Sequence, residues 1–242
     1  MSDEGTEQKG GLSRMSLDLV MGTKNWEVVM EITRHDGKRI GHAEKKLLVF
    51  HCIDVVPRYD CESPPVSVKI TQRDIELANV MGARLGKPYS SNLIGKDISF
   101  IPDNVDLITM PNWHWRLCKQ KMKEPLQDLL NLPGVACAVL TKAIHRKRPN
   151  LIPVCDAIVV EDILGANSDK KNSNTILMAM EKLRDVGQKN LQTLQQIRDF
   201  LVIKNELPDL SNLRMLEVLY WMEKTDRYRL LFEFMQENRW WV

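Results

Sequence analysis

"LQDLLNLPGVACAVLTKAIHRKRPNLIPVCDAIVVEDIL", residues 126–164, decides how the chain folds. Leu126, Leu129 and Leu130 end one helix, Leu132-Pro133-Gly134-Val135 turns the chain, and Ala138, Leu140, Ala143 and Ile144 carry a second helix away. Glycine suits a turn that needs positive φ or a close approach of another group. Backbone N–H groups of such a turn, and the N-terminus of the helix after it, can face a phosphate. The second helix closes on Lys142, His145, Arg146, Lys147 and Arg148, the most basic segment of the chain. Pro149 stops it, residues 150–154 cross as an extended link, and Asp156 falls just after Pro153 in the first turn of a third helix.

Outward from this stretch the pattern is mainly α. Residues 1–13 are polar and glycine-rich and predict a disordered tail, leaving 14–242 as a single helical domain with an irregular N-terminal third. Asn25 to Thr33 suits a short helix or a strand. "HDGKRIGHAEKK" predicts a turn and a charged helix start, and "KKLLVFHCIDVV" a buried element ended by Pro57. Thr71 or Gln72 opens a helix that runs toward Gly86, and residues 87–112 have little periodicity. Trp113–Lys123 and Pro125–Asn131 read as two helices, with Pro125 in a first turn. Apolar residues from Ile176 to Leu201 recur every three or four positions, which predicts one long helix bent at Gly187. Ser211 caps a helix whose Leu213, Leu216, Leu219, Tyr220 and Met222 face inward, and "YRLLFEFMQENRWWV" gives a last helix.

Composition excludes more than it selects. With 43% apolar and 27% charged residues over 242 positions, the chain reads as an ordinary globular protein. A formal charge of +2 neither announces nor excludes nucleic acid, because a local patch matters more than the sum. Cys52, Cys61, Cys118, Cys137 and Cys155 form no CxxC pair, and the histidines lack metal-ligand spacing, so no metal and no cofactor is expected. The N-terminus has no apolar signal core, and no run reaches membrane-spanning length; the expectation is a cytoplasmic protein.

Helix, glycine turn, helix and then an aspartate early in the next helix resembles the core of the helix-hairpin-helix DNA glycosylase superfamily, of which endonuclease III is the type. The resemblance covers about residues 121–162, with Gly134 and Asp156 standing 22 positions apart. It implies DNA as partner, Gly134 and Val135 as backbone donors to a phosphate, and Asp156 as the catalytic group that stabilises positive charge on the sugar or orients water. Ala138 stands where bifunctional members carry a Schiff-base lysine, so at most a monofunctional glycosylase is implied. Ala136 replaces the hairpin's second glycine, and Ala157 departs from the residues that usually follow the aspartate. "KRPNLIPVCD" (147–156) and "LRMLEVLYWM" (213–222), with "ITQRDIELANVMGAR" (70–84), are similar to segments of an uncharacterised family of bacterial proteins, a likeness that brings no activity with it.

The residues themselves keep two classes of function open. In the first, Lys142, Arg146, Lys147 and Arg148 add phosphate contacts to the turn and Asp156 works on an extruded nucleotide. In the second, the protein is not an enzyme and binds nucleic acid or a protein partner, with Asp156 satisfying a helix start. Arg148 buried against Asp156 or Glu161, and Arg214 paired with Glu217 in the core, belong to that plainer reading.

Overall fold

The computed structural model describes residues 29–51, 58–62, 67–225 and 229, and these are mainly helical. Ile32–Thr33 (β1) pairs antiparallel with Arg39–Ile40 (β2) around the turn at Gly37. Ala43–His51 (α1) follows, then Gln72–Val80 (α2), Tyr89–Leu93 (α3), Asn112–Leu130 (α4), Cys137–His145 (α5) and Ala157–Leu164 (α6). Ser173–Lys189 (α7), Leu191–Asp199 (α8), a π-helical turn over Phe200–Lys204 and Asn212–Lys224 (α9) complete the order. The expected tail over 1–13 lies outside the described residues, as does nearly all of the expected last helix. No helix among the described residues is long and apolar enough to cross a membrane.

Local chemistry sets several boundaries. Thr71 and Asp74 form a reciprocal capping box at α2, with the Thr71 N–H donating to Asp74 Oδ2 at 2.7 Å. Ser211 Oγ accepts the Arg214 N–H at 3.0 Å and starts α9. Several expectations at helix boundaries need correction: α2 stops at Val80 instead of running toward Gly86, and α5 stops at His145 before the basic run is complete. Residues 112–130 form one helix with Pro125 inside it, because Trp115, Cys118, Met122, Leu126 and Leu129 present one continuous buried stripe. Its burial outweighs the roughly 3 kcal/mol that an interior proline costs. The stripe from Ile176 to Leu201 is two helices, and the break lies at Asn190, not Gly187. Asn190 is tied to β1 in both directions: its Oδ1 accepts the Thr33 N–H and its Nδ2 donates to the Thr33 carbonyl, each at 2.9 Å. Gly187 instead lets Ile108 approach the helix; a Cβ there would stand 2.6 Å from Ile108 Cδ1.

One apolar cluster runs from Ile32 to Met222 and includes the buried faces of α4, α5, α7 and α9. Helix α9 is deeply set: ten of its thirteen residues are buried, Arg214 and Glu217 among them. It packs on α1, α6 and α7, which places both charged residues behind the segment that leads to Asp156.

Candidate functional site

The order helix, glycine turn, helix is present between α4 and α5. Gly134 has φ +78° and Val135 is fully buried. The turn's donors look inward: the Val135 N–H donates to the Leu132 carbonyl at 3.2 Å, and the Cys137 N–H to the Lys170 carbonyl at 2.8 Å. The close neighbour that Gly134 admits is the Tyr89 ring, 2.6 Å from where a Cβ would be. Gly134→Ala should therefore cost about 1–2 kcal/mol of backbone strain plus about 1–3 kcal/mol of overpacking. In a Tyr89→Gly background, which also removes the Cβ that would stand 2.8 Å away, only the backbone part should remain, as urea denaturation of the four proteins would show.

The basic run is internal, and this corrects the expectation that it lines a phosphate surface. Lys142, Arg146, Lys147 and Arg148 are each 8% exposed or less. Lys147 Nζ lies 3.2 Å from Asp74 Oδ2, with both side chains essentially sealed from water. Arg146 donates to the Glu62 carbonyl and its guanidinium stacks 5.6 Å from the Tyr59 ring centre. Arg148 pairs with Asp103 at 2.6 Å and donates to the Ile101 carbonyl at 3.1 Å; it meets neither Asp156 nor Glu161 in these contacts. A buried cation needs a counter-charge or carbonyls, since leaving it unpaired costs several kcal/mol.

Lys142 has a different setting. Thr141, its neighbour on α5, accepts the Cys155 N–H at 2.9 Å and donates to the Cys137 carbonyl at 2.8 Å, which pins the extended segment against the helix. That register brings Lys142 Nζ to 2.9 Å from Asp156 Oδ2. Asp156 is the N-cap of α6, its Oδ1 accepting the Ile158 N–H at 3.1 Å. The carboxylate thus does the capping work that its position predicts, and its side chain is still 27% exposed.

That exposure faces a cavity of about 260 Å³. Its polar wall is Lys142, Asp156, Arg214 and Glu217, and its apolar wall includes Phe50, Met81, Val159 and Trp221. Ligand pockets commonly begin near 300 Å³, so this space suits one ring system rather than a larger ligand. Arg214 binds Asp60 through Nε and Nη2, both at 2.9 Å, and binds Glu217 through Nη1. Glu217 also accepts the Val154 N–H, two residues before Asp156. Burial raises the Glu217 carboxyl to about 7 against the opposing pull of Arg214. Burial works against the Arg214 charge, yet Asp60 and Glu217 hold its pKa above the ordinary value.

Of the residues predicted from sequence, the structure brings Lys142 and Asp156 to one cleft. Gly134 and Val135 turn elsewhere, and Arg146, Lys147 and Arg148 support the core. Arg214, Glu217, Phe50, Met81 and Trp221 were not predicted as site residues. A charged pair three positions apart on a largely apolar helix was the sequence signal for Arg214 and Glu217. No cluster among the described residues has the makings of a metal site.

A family described as a family of unknown function (DUF6308) matches residues 90–224. No curated protein and no solved structure matches the chain.

Proposed function

The chain belongs to the DUF6308 family, and we propose that it is a base-excision enzyme that admits one extruded nucleobase to the cavity beside Asp156. One observation carries this reading: a carboxylate at the register the glycosylase resemblance assigns stands at the wall of a ring-sized cavity with aromatic and thioether side chains. An extruded base needs flat apolar contact and a few polar groups, and here Phe50, Trp221 and Met81 supply the first while the ion pairs supply the second. Asp156 holds negative charge where positive charge develops on the sugar, and Lys142 orients it. The grip on the nucleic-acid backbone comes from surfaces other than the 142–148 run, whose side chains have internal partners.

The cap bond and the Lys142 pair also favour a second reading, in which Asp156 is structural and the cavity binds a base without cleaving it. Both readings require the base to enter the cavity. An oligonucleotide carrying one 2-aminopurine should change its fluorescence several-fold on binding at low salt, where backbone contacts are strongest. Met81→Trp fills the cavity from its wall and should abolish the change while binding persists. An unchanged signal with the wild type, or an equal signal with the filled variant, contradicts base entry.

A further inference from the structure

We infer that Glu217 is the group that donates a proton to the departing base, opposite in role to Asp156; the inference rests on the excision reading above. The geometry sets the two carboxyls of the cleft in contrasting surroundings. Asp156 has an ammonium of its own, Lys142 Nζ at 2.9 Å, and is partly open to the cavity. Glu217 shares one guanidinium with Asp60, and Asp60 takes the bidentate place on it at 2.9 Å for each bond. Asp60 and Glu217 are each 1% exposed at the side chain, so water does little to relieve two negative charges on one cation.

Other titratable groups around the cluster do not supply the missing charge. His51 on α1 is held neutral to about 4 and His145 on α5 to about 3, both chiefly by burial. Tyr59 is held protonated, again by burial. Arg146 turns to the Glu62 carbonyl, and Lys142 to Asp156. A proton on one carboxyl balances Asp60 and Glu217 against the single Arg214 guanidinium they share, and the cavity-lining member of the two is Glu217. Its carboxyl has contacts to Arg214 and the Val154 N–H, two of roughly four lone-pair positions, which leaves room for the proton. A buried carboxyl raised by its surroundings and a second carboxyl paired with an ammonium can serve one substrate as acid and as charge-stabilising partner.

The step balances with water as the co-reactant. The bond between the sugar C1′ and the base nitrogen breaks and its electron pair leaves with the base. The Glu217 proton passes to the base. Water adds its hydroxyl to C1′, and its proton passes through Asp156 to solvent. Solvent then reprotonates Glu217.

The test has two arms. In the free protein labelled with ¹³C at glutamate carboxyls, the resonance lost in Glu217→Gln should titrate with a midpoint near 7. Asp60→Asn should move that midpoint down by at least about one unit, because Arg214 then serves Glu217 alone. In the second arm, base release is followed from oligonucleotides carrying uracil, a neutral leaving base, or 7-methylguanine, already cationic. Glu217→Gln should slow uracil release by about 100-fold or more and 7-methylguanine release far less. A Glu217 that is ionised at pH 6, or equal losses on the two bases, overturns the donor role. A midpoint near 7 without release of either base by the wild type overturns excision, and the donor role with it. If Glu217→Gln does not fold, the Asp60→Asn protein carries both arms: release of uracil should lose its acid form at correspondingly lower pH.

Discussion

Arg214→Met should destabilise the protein by about 3–5 kcal/mol, the range for breaking a buried ion pair from one side. Arg214 is 3% exposed, and Asp60 and Glu217 depend on it together. Methionine fills much of the space but leaves two carboxyls in an apolar setting, and each must take up a proton or stay charged without a partner. The loss should therefore be smaller at pH 5 than at pH 7.5, because burial holds the Glu217 carboxyl up at about 7 and below that pH it carries its own proton. The triple change Arg214→Met, Asp60→Asn, Glu217→Gln should recover most of the stability, since removing every member of a buried charge cluster costs less than removing one. Urea denaturation at pH 5 and pH 7.5 measures both effects. A loss under 1 kcal/mol for the single variant at pH 7.5 would mean that water reaches the cluster.

The same cluster shows where sequence reading succeeds and where it stops. Thr71, Ser211 and the turn at Gly134 act through neighbours within a few residues, and their consequences are legible in the sequence. The Arg214–Glu217 pair is legible for the same reason, three positions apart on one helix. Asp60, the other half of the cluster, comes from a distant segment and carries no local signal. Charge in the 146–148 run was plain from sequence, but its destination was not. Asp74, Glu62 and Asp103 arrive from distant segments, and only the packing of α2 on α5 and the neighbouring loops brings them to the cations. An exposed basic face and an internal one read alike when the partners are remote.

Pro125 and Asn190 illustrate a second limit. A proline inside a helix costs a fixed local amount, whereas the buried stripe that overrides it accumulates along nineteen residues. Asn190 ends α7 through hydrogen bonds to Thr33, at the other end of the described chain. Gly187 carried the visible signal of a break, yet its role is to make room for Ile108. For the candidate site, the register from Gly134 to Asp156 was legible, and Asp156 stands on one wall of the cavity. The facing wall, from α1 and α9, was not.

Asp156 offers the sharpest separation between the two readings of the cleft, because one atom can be exchanged with little change of shape. Asp156→Asn keeps an oxygen to accept the Ile158 N–H, so α6 keeps its cap. It removes the carboxylate charge that pairs with Lys142. Where that charge stabilises a transition state, its loss should lower release by about 100- to 1,000-fold; where Asp156 only caps and pairs, release is absent from the outset. The measurement is the rate of base release from single-stranded and duplex oligonucleotides bearing deaminated, oxidised or alkylated bases, with the purified wild-type and Asp156→Asn proteins side by side. The account predicts release of at least one such base by the wild type, a loss of about two orders of magnitude or more in Asp156→Asn, and unchanged binding of the uncleaved strand. Undiminished release by Asp156→Asn, or no release by the wild type from any of these strands, would contradict it.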